Sequence, residues 1–213
     1  LYKIYVEALL SILKKIGINI NTAPVLDLLQ KNTHKIIGNR SYSNNPKIVQ
    51  KLGKFCVKLY KKKKIGSVIK HIPGHGRALV DSHKNTPIVS SSKSELKKDF
   101  FCFKDVNPHF AMTAHIIYKK LDQQNVATFS KKIIKKVIRE EIKFKGLIIS
   151  DDIAMKALKY DLLTNAKKTL ASGCNLVLYC SGNYNESLKL LKEMPFMDKF
   201  TKQKTTEFYK FLS

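Results

Sequence analysis

The chain has 213 residues, enough for one ordinary domain with a sizeable core, and its apolar fraction of 44% sets it apart from disordered chains. There are 40 Lys and Arg against 16 Asp and Glu, a formal net charge of +24. The excess is almost all lysine, spread in pairs such as Lys14-Lys15, Lys97-Lys98 and Lys131-Lys132, with only Arg40, Arg77 and Arg139 as arginines. This is the pattern of solvated helix faces; an arginine-poor surface is badly equipped for base or phosphate readout, so no nucleic-acid partner is expected. A basic polyanion-binding protein is the alternative that the charge leaves standing.

The elements follow in chain order. Apolar residues Tyr2, Val6, Leu9, Leu10, Leu13 and Ile16 have helical spacing, and Gly17 stops that helix. Ile20 to Leu26 reads as a buried strand, Pro46 to Tyr60 as a helix and Ser67 to Ile72 as a strand. Ser92 to Phe101 is a helix with Ser94 as its cap, Ala111 to Ile116 a strand, and Ser130 to Ile142 a helix opened by a capping serine. Gly146 to Asp152 is a strand, Leu162 to Ser172 a helix ended by Gly173, Asn175 to Cys180 a strand, and Asn185 to Met194 a closing helix. Short apolar strands alternating with helices predict an α/β fold with a parallel sheet covered on both faces.

A (β/α) barrel is favoured over an open doubly wound sheet, because polar residues gather at the strand ends. Asp27, Lys70-His71, His115, Asp151-Asp152 and Ser181 to Asn183 each follow an apolar run. In a barrel these ends converge on one mouth. Neither G-x-G-x-x-G nor a P-loop is present to mark a nucleotide site. A full barrel takes about 250 residues and eight strands, so five strands predict an incomplete one.

Cys56, Cys102, Cys174 and Cys180 form no C-x-x-C pair and lie in apolar settings, which reads as four small buried thiols in a reducing compartment. No apolar run approaches membrane-spanning length, so no membrane partner is expected, and the expected location is cytoplasmic.

The richest stretch is KHIPGHGRALVDSHKNTP, Lys70 to Pro87, with three histidines, two glycines and bracketing prolines at a strand end. In Asp81-Ser82-His83 the carboxylate can accept the imidazole Nδ1–H and leave the other nitrogen to give or take a proton near neutral pH. Two other readings stay open on spacing alone: the pair ties down the loop, or His71, His75, Asp81 and His83 hold a metal. A second constellation, Ser150-Asp151-Asp152, closes an apolar strand. Adjacent carboxylates point apart on extended backbone, so one can face the mouth while the other caps the next helix or loop. Arg40-Ser41-Tyr42, in an Asn-rich loop, can hold an anion or a sugar hydroxyl, or pair with a local acid.

Together these stretches resemble family 3 glycoside hydrolases, specifically the bacterial β-N-acetylhexosaminidases of peptidoglycan recycling. NTAPVLDL is similar to the strand carrying A-P-V-x-D, RSYSNNP to the R-S-[FY]-x-x-[DN]-P loop, and Lys70 to Pro87 to K-H-[FI]-P-G-H-G…D-S-H…P, the most specific element. AMTAHIIYKKLDQQNVATFS, GLIISDDIAMKAL and LASGCNLVLYCSGN resemble three further segments in the family's order, with Val126 where Pro is common and Asn175 where Asp is usual.

The resemblance implies a TIM-type barrel and retaining release of terminal β-linked N-acetylglucosamine from muropeptide fragments, with no metal or organic cofactor. By position it makes Asp151 the nucleophile, His83 the general acid/base and Asp81 its partner, with Arg40, Lys70 and His71 binding the sugar. The family's D-Q-E-G-G-R-type segment, which supplies a further Asp and Arg, has no counterpart in these residues. Residues 1–213 are therefore expected to form a single catalytic domain truncated at its front, completed by a separate chain or else an inactive remnant of the fold.

Overall fold

The computed structural model describes all of residues 1–213. Helix α1 (Tyr2–Lys15) leads to β1 (Ile20–Asn21), and α2 (Pro46–Lys62) to β2 (Gly66–Ile72). Strand β3 (Ile88–Val89), α3 (Lys93–Phe101), β4 (Phe110–Thr113) and β5 (Ile117–Tyr118) come next. A π-helical segment (Ile133–Glu141) precedes β6 (Leu147–Asp152), α4 (Leu162–Ala171), β7 (Leu176–Leu178), α5 (Tyr184–Glu193) and α6 (Lys199–Leu212).

Five strands form one parallel sheet in the order β1-β2-β4-β6-β7, curled as part of a barrel. Strands β3 and β5 pair separately, beside the loop that begins at Lys70. The alternation of side chains divides the sheet into two faces. Ile69, Ala111 and Ile148 point outward into the main core, joined by Ile72 across the register shift after Lys70, with Val57 of α2, Phe100 of α3 and Val137 and Ile138 of the π-helix. Val68, Phe110, Met112 and Leu147 point to the concave side, with Ile149, Leu176 and Leu178.

Four expectations need correction. The first strand is not continuous from Ile20 to Leu26: Ala23 N–H turns back to Asn21 O at 2.9 Å, Pro24 has no donor, and pairing resumes only at the Val25–Lys70 bridge. The cap of α3 is Ser92, not Ser94; Ser92 Oγ accepts from Glu95 N–H while the Glu95 carboxylate accepts from Ser92 N–H, a reciprocal capping box. The helix at Tyr184–Glu193 does not close the chain. A further helix, α6, brings Phe208, Phe211 and Leu212 onto the concave face, where they cover apolar side chains. Cys180, finally, is exposed, because it lies beyond the end of β7, while Cys56, Cys102 and Cys174 are buried as expected.

No helix is long and apolar enough to cross a membrane.

Candidate active site

The site is assembled at the C-terminal ends of β1, β2, β4 and β6. Asp151 sits near the end of β6, its side chain 20% exposed. Asp152 N–H donates to its Oδ1 at 2.8 Å, and its Oδ2 lies 4.0 Å from His71 Nε2. Burial works against ionisation of Asp151. The charges of His71, His115 and Lys70 and the Asp152 N–H nevertheless hold its carboxyl below the ordinary range, so a free carboxylate faces the mouth at neutral pH. The neighbouring Asp152 points elsewhere, as expected for adjacent residues on a strand: its Oδ1 accepts from Ala154 N–H at 3.1 Å and Cys180 N–H at 3.2 Å. His115, buried on the turn after β4, donates from Nε2 to Asp152 O at 3.1 Å, while Thr128 Oγ1 meets its Nδ1 at 2.7 Å. That contact fixes the backbone from which Asp151 projects.

Lys70 and His71 lie side by side on β2, where the hydrogen-bond register shifts between Lys70 and Ile72. His71 is buried, whereas Lys70 is half-buried with Nζ 3.2 Å from Thr22 Oγ1. Burial and the charge of Arg40 lower the Lys70 ammonium, and Asp151 and Asp27 pull it back up. Arg40 is exposed and donates to the carbonyl of Ile36, one turn earlier, so its guanidinium stands at the edge of this basic group.

Asp81 and His83 form the expected pair. The His83 ring lies with Nδ1 2.8 Å from Asp81 Oδ1, which also accepts the His83 backbone N–H at 2.8 Å. The pair stands in solvent, with the His83 side chain 60% exposed, and no hydrogen bond or ion pair joins it to Asp151. The structure thus brings Asp151, His71 and Lys70 together with Arg40 at their edge, and presents Asp81 with His83 separately on a loop tip. The histidines of the alternative metal reading each take a different partner, Asp27, Ser82 and Asp81, and form no cluster of three ligands.

The loop root is tight. Gly74 has φ +136°, and a Cβ there would lie 2.8 Å from Asp99 Cβ; at Gly76 a Cβ would lie 1.8 Å from Leu28 O. These glycines serve close packing of the loop against the segment after β1, at Leu28, and against α3, at Asp99. Arg77 adds an ion pair from Nε to Asp99 Oδ2 at 2.5 Å, and Tyr118 Oη donates to Gly74 O at 2.6 Å. Exposed residues begin only at Leu79 and Val80.

Asp27, placed by the sequence at a strand end, is given no role there. Asp27 is wholly buried and accepts from three donors: His71 N–H at 3.1 Å and His75 N–H at 2.6 Å on Oδ1, and the His71 ring Nδ1 at 2.7 Å on Oδ2. Burial opposes its charge, but His71 and His75 hold its carboxyl below the ordinary range. The signal available was its place after the apolar run Pro24-Val25-Leu26, in line with the other strand-end polar residues.

The chain is similar to the Beta-hexosaminidase of Nitrosomonas eutropha, 35% identical over 175 residues that cover 79% of this chain and 50% of that one. The Beta-hexosaminidase of Hydrogenovibrio crunogenus is 34% identical, covering 78% and 48%. The chain spans about half the length of the curated relatives it matches. Among solved structures, native NagZ from Neisseria gonorrhoeae superposes with a TM-score of 0.85 at 31% identity, covering 98% of this chain and 60% of that one. The beta-N-acetylglucosaminidase from Thermotoga maritima gives 0.78 at 31%, covering 99% and 47%. Residues 7–205 match the model described as the glycosyl hydrolase family 3 N terminal domain, and the chain belongs to that family.

Proposed function

We propose that this domain carries out retaining hydrolysis of terminal, non-reducing β-linked N-acetylglucosamine from muropeptide fragments of the cell wall. The observation that carries the reading is Asp151, a carboxylate held ionised at a strand end 4.0 Å from His71 and within the field of Lys70. The substrate class is suggested by relatives named Beta-hexosaminidase and by the Neisseria gonorrhoeae NagZ structure in complex with N-trifluoroacetyl-D-glucosamine.

In this reading Asp151 attacks the anomeric carbon while His83 gives its proton to the leaving oxygen, and a glycosyl ester of Asp151 forms. His83, now neutral, takes a proton from water. That water attacks the anomeric carbon and releases the sugar and the Asp151 carboxylate. Asp81 holds the His83 ring and steadies its positive form. Lys70, His71 and Arg40 hold the sugar hydroxyls. Because His83 is exposed and not bonded to Asp151, the reading requires the short exposed segment around His83, beyond the fastened Ser82, to move toward Asp151 when substrate is bound. No metal or organic cofactor is required by these steps. The cytoplasm is the compartment proposed, since it suits the three buried free thiols.

The test is chromophore release from an aryl N-acetyl-β-glucosaminide. Turnover is expected from the wild-type protein and lost in Asp151→Ala; turnover that survives the substitution overturns the nucleophile assignment.

Strands β1 and β7 each have a sheet neighbour on one side only. Unpaired edges of a curled parallel sheet invite further strands. The proposal includes such strands closing the barrel, from the same polypeptide or a separate chain. Supplying a D-Q-E-G-G-R-bearing segment is expected to raise turnover, and an unchanged rate counts against this part.

A further inference from the structure

Asp27 and Asp151 lie on opposite sides of one imidazole. On the inner side, Asp27 Oδ2 is 2.7 Å from His71 Nδ1; on the outer side, Asp151 Oδ2 is 4.0 Å from His71 Nε2. A carboxylate only accepts, so the proton between Asp27 and the ring belongs to Nδ1. The other Asp27 oxygen is occupied by two backbone donors, His71 N–H and His75 N–H, so the carboxylate has no freedom to turn away from the ring. Its wholly buried position excludes water as a competing donor. His75 opens the tightly packed segment that leads to Asp81 and His83.

We infer that Asp27 is a positioning residue. Its buried carboxylate sets the tautomer and aim of His71, turning Nε2 toward Asp151 and the sugar site, and clamps the root of the loop bearing His83. The same group thereby ties the nucleophile's side of the site to the acid/base side. This inference rests on the glycosidase reading for its consequence to turnover, but not for its structural content.

Asp27→Asn is the informative change, because it preserves size. Its Oδ1 can still accept both backbone N–H groups, while an NH₂ replaces the Oδ2 that faced the ring. That NH₂ needs an acceptor at Nδ1, so the His71 proton is driven to Nε2. The readout is the long-range ¹H–¹⁵N spectrum of ¹⁵N-histidine protein, with His71 assigned from the peaks lost in His71→Gln. Wild type is expected to show His71 with Nδ1 protonated, and Asp27→Asn to show Nδ1 bare. A wild-type His71 with a bare Nδ1 overturns the inference even if the variant does not fold. So does a folded variant with the wild-type tautomer.

Turnover of the aryl glycoside is expected to fall roughly 10- to 100-fold in Asp27→Asn. A wild-type rate in a variant whose tautomer has switched overturns the functional half, and leaves the glycosidase reading intact. Turnover that survives Asp151→Ala sinks the glycosidase reading, and leaves the tautomer result standing.

Discussion

His75 Nε2 and Ser82 Oγ lie 3.1 Å apart, both buried, and this contact closes a loop whose intervening residues Leu79 and Val80 are exposed. Ser82 is further held by its carbonyl, which accepts Ala157 N–H at 3.2 Å from the segment after β6. The loop is thus fastened at one end to β2 and the segment after β1 through Asp27, and at the other to the segment beyond Asp151. His83, one residue beyond the fastening, is left outside.

Acid is expected to weaken this fastening. Burial, with the charge of His71, lowers the His75 imidazole to about 4, while its ordinary value is 6.5. The unfolded chain therefore takes up a proton on His75 below pH 6.5 and the folded chain does not until about 4, so stability falls as pH falls through that window. The shift corresponds to about 3 kcal/mol. Asp99 works in the opposite sense, since burial pushes its carboxyl up to about 6 and the fold gains from its protonation as the pH drops. Urea unfolding at stepped pH from 7 to 4, on wild type and His75→Gln, separates the two. The variant should lose less stability than wild type over this range, and parallel curves rule out the assignment to His75.

The Arg77–Asp99 pair offers a second test of the loop root. Arg77 Nε reaches Asp99 Oδ2 at 2.5 Å with the Asp99 side chain 2% exposed, and Asp99 Oδ1 has no partner. Removing the arginine alone leaves a buried carboxylate without compensation. Arg77→Met is expected to cost on the order of 3 kcal/mol at pH 8, and the double change Arg77→Met with Asp99→Leu to recover much of it. The cost of Arg77→Met should shrink as the pH falls toward 6, because the abandoned carboxyl, no longer lowered by Arg77, takes up its proton above the wild-type value of about 6. Additive, pH-independent losses in the double-mutant cycle would count against a coupled pair.

The legible parts of this molecule are those where local chemistry and global packing agree. Strands β2, β4 and β6 are short apolar runs flanked by sheet neighbours on both sides, and their pattern marks them within two or three residues. Asp81 with His83, and the opposed directions of Asp151 and Asp152, come from backbone spacing alone. The features that escaped depend on distant partners. β1 has a single sheet neighbour and is followed closely by Pro24, so only two residues keep ladder geometry. In α6 the apolar residues crowd toward the C-terminal half around Phe208, while lysines and threonines fill the rest and blur the helical period; Asp198, capping at Thr201 N–H, was the local sign. Asp27 could be seen as a strand-end carboxylate, but its three donors come from His71 on β2 and His75 in the loop after it, 44 to 48 residues away in sequence.

Asn175, which stands where the resemblance implies an Asp, gives Arg139 a neutral acceptor. Its Oδ1 accepts from Arg139 Nη2 at 2.8 Å and from Ile148 N–H at 2.9 Å, and its Nδ2 donates to Thr201 Oγ1 at 3.0 Å. Arg139 also bonds Phe144 O and Gly146 O and lies against the rings of Phe144 and Phe200, with no carboxylate beside it. Burial lowers its guanidinium to about 10. Asn175→Asp restores a charged acceptor in the same place, and the Thr201 hydroxyl can rotate from accepting to donating. A charge-assisted bond is worth roughly twice a neutral one, so the variant is expected to gain about 1 kcal/mol at pH 7. The sign of its pH dependence is set by the pairing. Arg139 depresses the new carboxyl below its unfolded value, so the gain is present above about pH 4 and is lost as the pH falls through the lowered value. Thermal melts at pH 7 and pH 3 check both halves: Tm should rise at the first and not at the second. A fall in Tm at pH 7 means that burying the added charge outweighs the stabilisation Arg139 returns.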